Sequence, residues 1–150
     1  MLVLGVGRLM NAHQTRLAVF GGIDGLVMFL GLALGLIIAR QGGTAVWHAA
    51  LGGAGGELVG MTSGQRLSDP DSGWPVAIAC GVAGALACVV PAVPYLVTTG
   101  TAALTAALVI ALAVGGAVAW MRPEHGWRAV VRTYLVLIGA GVLSGITGLV

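Results

Sequence analysis

The chain has 150 residues, of which 58% are hydrophobic and only 8% charged, with a formal net charge of +2. Soluble domains carry about 25% charged residues, so this composition excludes a solvated globular surface and points to lipid as the solvent. The small, scattered charge also excludes nucleic-acid binding.

Met1–Gly7 is too short for a signal-peptide core and lacks a cleavage site, so the first hydrophobic segment is expected to remain in the mature protein. Five apolar stretches follow, at about 17–39, 46–67, 76–97, 102–121 and 130–150. Each is close to the ~20 residues that span a hydrocarbon core. None shows the alternation of membrane strands. The expected fold is therefore an all-α membrane protein, one transmembrane domain over residues 1–150 built as a five-helix bundle.

The breaks are Arg40–Gly43, Ser68–Gly73, Thr98–Gly100 and Arg122–Gly126, each rich in turn-forming or charged residues. Pro91 and Pro94 fall near the end of the third stretch, where a kink or early unwinding costs least. Cys80 and Cys88 share that stretch roughly 12 Å apart along a helix, too far for a disulfide, and read as small packing residues.

Every Lys/Arg-type cation is an arginine. With the N-terminus in the cytoplasm, Arg8, Arg16, Arg66, Arg122, Arg128 and Arg132 lie inside and only Arg40 outside. The positive-inside rule thus predicts an N-in, C-out topology, in a bacterial-type cytoplasmic membrane.

Asp69, Asp71 and Glu124 fall in cytoplasmic turns, whereas Asp24 and Glu57 fall inside apolar spans. A carboxylate there costs roughly 2.5–3.5 kcal/mol on insertion scales. Both lie about 10–15 Å from the cytoplasmic ends of two consecutive antiparallel spans, so they are expected at one level. Glu57, Met61 and Gln65 follow i, i+4, i+8 spacing and share a helix face. Beside them Gly52, Gly56, Gly60 and Gly64 form a small-residue stripe, and Gly21, Gly22 and Gly25 flank Asp24, an arrangement that lets a neighbouring helix approach closely.

Carboxylates suit Mn²⁺ and Fe²⁺, and a thioether shifts preference away from Ca²⁺ and Mg²⁺. The expected metal-ligating set is Asp24, Glu57, Met61 and Gln65, with carboxylates able to exchange a proton for a cation. The plainer reading is a protonated carboxyl acting as interhelical glue, but two acids at matched depth with a Met one turn away favour a site. His13, His48 and His125 read as surface residues near membrane edges; His125 with Glu124, Asp69 and Asp71 could gather cations at the cytoplasmic mouth. No nucleophile–base pair, zinc motif or phosphate loop is present, so no enzyme is expected.

Gly22-Ile23-Asp24-Gly25-Leu26-Val27, followed by Phe29-Leu30-Gly31-Leu32, resembles the first helix of the vacuolar iron transporter family, which opens with a similar Asp-Gly-Leu-Val segment. Gly56-Glu57-Leu58-Val59-Gly60-Met61-Thr62-Ser63-Gly64-Gln65-Arg66 resembles its second helix, and Pro91-Ala92-Val93-Pro94-Tyr95 is similar to the proline-rich end of its third. The last two spans match in length and glycine content. The resemblance implies a homodimer exporting Fe²⁺ or Mn²⁺ from the cytosol against protons, with no permanently bound cofactor. Asp24 stands for the first-helix pathway aspartate, Met61 for the second-helix methionine, and Glu57 for a position often acidic in the family. Gln65 and Arg66 replace the family's usual Glu and Tyr. Only Ser68–Trp74 separate the second and third spans, so the glutamate-rich cytoplasmic insert of many members is missing. Two other functions fit the same residues: a secondary transporter of another small solute using Asp24 and Glu57 for proton coupling, and a non-transporting membrane scaffold subunit.

Overall fold

A computed structural model describes residues 12–122 and 126–147. Expectations for Met1–Gly7, Arg8, Glu124, His125 and the last three residues of the fifth span lie outside the described residues. The helices are α1 (Ala12–Ile38), α2 (Gly43–Ser68), α3 (Trp74–Val89), a 3₁₀ segment (Val90–Leu96), α4 (Gly100–Trp120) and α5 (Trp127–Thr147). No strand occurs among the described residues.

α1 reaches at least to Ala12, five residues before the expected apolar stretch. The third span does not unwind at its prolines. It tightens into the 3₁₀ segment, in which Pro91 and Pro94 are both buried, and helix and segment together form one apolar unit of 23 residues.

Among the described residues, three units are long and apolar enough to cross a membrane: His13–Ile38, Trp74–Leu96 and Gly100–Trp120. α2 and α5, 26 and 21 residues long, carry more polar side chains and fall outside that group. Trp74 opening α3, Trp120 closing α4 and Trp127 opening α5 are all more than half exposed, at helix ends where indoles anchor to a membrane–water interface. Val109, Leu112, Leu135, Ile138 and Leu143 are also more than half exposed, so the outward faces of α4 and α5 are apolar. The chain is a helical membrane protein.

α1 lies at the centre, packing most extensively on α3, then on α5, with lighter contact to α2 and α4. Leu26, Phe29, Leu30 and Ala33 of α1 are buried against Ala50 and Ala54 of α2, Ala87 and Cys88 of α3, and the Ala103–Ala107–Ala111 row of α4. Small residues at four-residue spacing let these helices sit close. Tyr134 of α5 donates its hydroxyl to Leu112 O of α4 at 2.8 Å.

Two tight turns set the geometry of α1, α2 and α3. Between α1 and α2, Arg40 adopts a left-handed conformation with φ 57°, while Gln41 N–H bonds to Leu36 O at 2.8 Å. Between α2 and α3, Asp69 Oδ1 accepts from Ser72 N–H at 3.3 Å. Arg66 donates through Nη1 to Pro70 O at 2.7 Å and to Ser72 O, and its guanidinium stacks 5.1 Å from the Trp74 ring centre.

Candidate functional site

α3 is wedged between α1 and α2 and forms the floor of a groove whose walls are those two helices. Glycines make this possible. A β-carbon at Gly21 would overlap Cys80 O, and one at Gly25 would overlap Gly84 O. On the other wall a β-carbon at Gly81 would overlap Thr62 Oγ1, and one at Gly84 would stand 2.7 Å from Glu57 Oε2 and 3.2 Å from Gly21 O. The glycines near Asp24 thus admit α3, rather than α2, as the closely packed neighbour.

The register of the two walls follows from their contacts. Met28 Sδ and Leu32 Cδ1 each lie 3.0 Å from where a β-carbon of Gly53 would stand, and His13 Nε2 approaches Asp69 Oδ2 at 3.6 Å at the far end. One turn back from Met28 is Asp24, and one turn on from Gly53 is Glu57, so the acids are level across the groove. From the His13–Asp69 contact, Asp24 lies about 17 Å along α1 and Glu57 about 18 Å back along α2. The sequence-based expectation of matched depth agrees with this arrangement.

Their surroundings differ. Glu57 is 4% exposed, lies on the floor over Gly84, and its Oε2 has no hydrogen-bond partner. Asp24 is exposed on the rim, within electrostatic reach of Glu57. Met61 and Gln65 are half-buried further along the same α2 face. The column read from the i, i+4, i+8 spacing therefore runs from a buried carboxylate toward an open end. Thr62 Oγ1, also buried without a partner, adds an oxygen on the floor that sequence spacing did not single out. The signal available for it was Gly81 and Gly84 in the third stretch, three residues apart, matching the small residues at Gly21 and Gly25.

Among the described residues, nothing lies within 4 Å of a β-carbon placed at Gly52, Gly56, Gly60 or Gly64. The stripe is thus open to the close approach of a partner helix that its spacing predicts. The close contacts of α2 are made by Gly53, Glu57 and Thr62 instead. His48 is exposed and His13 is 55% exposed, as expected for residues near membrane edges.

Among the described residues no three His, Cys, Asp or Glu side chains converge as a metal-binding group. One subunit thus supplies two level carboxylates, one of them open to whatever covers the rim. No family profile, curated protein or solved structure matches the chain.

Proposed function

We propose that the chain is the subunit of a proton-coupled transporter that exports a divalent transition metal, Fe²⁺ or Mn²⁺, from the cytosol. The observation that carries this reading is the buried, unpartnered Glu57 carboxyl facing the level of Asp24 across a groove lined by Met61 and Gln65. A carboxyl kept as interhelical glue is expected to spend its oxygens on hydrogen bonds, whereas Oε2 spends none. An oxygen held ready inside an apolar bundle suits a group that receives a proton or a cation in turn.

Exchange of two protons for one divalent cation leaves the net charge of the acid pair unchanged. That neutrality matters where lipid penalises uncompensated charge. Met61 adds a soft donor and Gln65 a neutral amide oxygen toward the open end.

In this reading all five helices span the membrane, N-in and C-out, in the cell membrane. α2 packs along α3, itself apolar enough to cross, and at about 1.5 Å per residue it is nearly 40 Å long. α5 opens at Trp127 and α4 closes at Trp120, both exposed indoles. A homodimer completes the site. Exposed Asp24 and the uncovered glycine stripe of α2 are the surfaces a second copy would meet, and its acids would raise the donor number toward what a divalent cation takes.

The test is metal uptake into inverted vesicles, comparing Fe²⁺, Mn²⁺, Co²⁺ and Ca²⁺ with and without a pH gradient. The proposal expects gradient-dependent uptake of the transition metals and little of Ca²⁺. Uptake that ignores the gradient, or favours Ca²⁺, would contradict it. Proton flux indifferent to any metal would instead support a proton-coupled carrier of another solute.

A further inference from the structure

Gly53 sits where α1, α2 and α3 converge, and sulfur lines the space its missing side chain leaves. A β-carbon there would lie 3.0 Å from both Met28 Sδ and Leu32 Cδ1 of α1 and 3.2 Å from Cys88 Sγ of α3. A thioether and a thiol from two helices therefore face one point on a third. Cys88 is fully buried, and its thiol makes only a long hydrogen bond, 3.5 Å, to Ala50 O. One turn along α2 from Gly53, and one turn along α3 from Cys88, the unpartnered Glu57 Oε2 rests against Gly84. The sulfur pair and the free carboxylate oxygen thus occupy neighbouring turns of one packed seam.

We propose that Met28 Sδ and Cys88 Sγ form a subsite for a soft monovalent cation, Cu(I), at the deep end of the groove between α1 and α2. The proposal rests on reading that groove as a cation path. Thiolate and thioether donors select Cu(I) over hard divalent cations. A two-coordinate ion held linearly needs its sulfurs about 4.5 Å apart, twice a metal–sulfur bond of ~2.3 Å, and glycine at position 53 adds no side chain of its own to the Met28, Leu32 and Cys88 atoms that meet there.

The charges balance at each step. The Cys88 S–H bond breaks as the S–Cu bond forms, one Cu(I) enters, and one proton leaves toward the Glu57 carboxylate one turn away. Cation and thiolate cancel, the thioether is neutral, and no unpaired charge is left at the sulfurs in the apolar seam. Cys80 differs: its Sγ packs 3.3 Å from the β-carbon position of Gly21, beside its own carbonyl. It is the internal control.

The experiment is competition for Cu(I), kept reduced with ascorbate, between the full chain in nanodiscs and the chromophoric chelator bathocuproine disulfonate. The expected result is one Cu(I) per chain, with affinity falling at least about 100-fold in both Cys88→Ser and Met28→Leu and unchanged in Cys80→Ser. Both substitutions nearly conserve volume, and circular dichroism with size-exclusion profiles verifies their folding. X-ray absorption of the loaded wild-type chain gives a second readout, with sulfur neighbours expected. Wild-type affinity in Cys88→Ser and Met28→Leu, an equal loss in Cys80→Ser, or nitrogen and oxygen neighbours in the spectrum would overturn the subsite. An Asp24→Asn/Glu57→Gln chain separates the two readings. Intact divalent transport in it sinks the cation path, while its Cu(I) affinity reports on the sulfur pair alone.

Discussion

Gly25 of α1 and Gly84 of α3 meet so closely that a β-carbon at Gly25 would overlap the Gly84 carbonyl oxygen and stand 3.0 Å from the Gly84 Cα. The neighbour in this contact is backbone, which cannot swing aside as a side chain tip can. Gly25→Ala is therefore expected to force α1 and α3 apart and to destabilise the subunit by about 1–3 kcal/mol, the usual range for overpacking. Unfolding in mixed detergent, followed by circular dichroism, measures this. A midpoint unchanged from wild type would show that the seam is looser than described.

Gly56 makes the opposite case, since no atom of the described residues lies within 4 Å of its β-carbon position. Gly56→Leu is expected to leave the unfolding midpoint of the isolated subunit unchanged and to weaken self-association in the bilayer at least tenfold, a loss of about 1.4 kcal/mol. Single-molecule photobleaching across a range of protein-to-lipid ratios reads the change. Undiminished association would place the contact between copies elsewhere on the surface.

Arg66 holds the turn between α2 and α3 through the carbonyls of Pro70 and Ser72 and the face of Trp74. Arg66→Ala removes charge-assisted bonds and a cation–π contact together, an expected loss of about 1–3 kcal/mol at this partly exposed site. Limited proteolysis is then expected to cut between residues 68 and 73 faster than in the wild-type chain. Arg66→Lys should recover only part of the protection, because an ammonium lacks the planar face that stacks on Trp74.

Helix existence was legible in the sequence because apolar length and charged breaks report it directly. Asp24 and Glu57 stood out for the same reason, each being an acid inside an apolar run, and matched depth followed from antiparallel neighbours and a fixed rise per residue. What the sequence did not reveal was which glycines carry close contacts. The regular stripe at Gly52, Gly56, Gly60 and Gly64 gave the stronger pattern, yet Gly21, Gly25, Gly81 and Gly84 make the seam. Spacing fixes a face, whereas the choice of partner depends on how three helices share space. The exposure of Asp24 was hidden for that reason too, since an acid's depth along a span says nothing about its position around the helix.

The most direct test of the account is metal-stimulated proton flux in proteoliposomes, comparing wild type with Asp24→Asn and Glu57→Gln. Both amides keep side-chain volume and hydrogen-bonding capacity but cannot exchange a proton for a cation. The account predicts that Fe²⁺ or Mn²⁺ drives proton movement through the wild type, while each variant remains folded and loses at least about 100-fold of that flux, some 2.7 kcal/mol. Wild-type flux in either variant would contradict it.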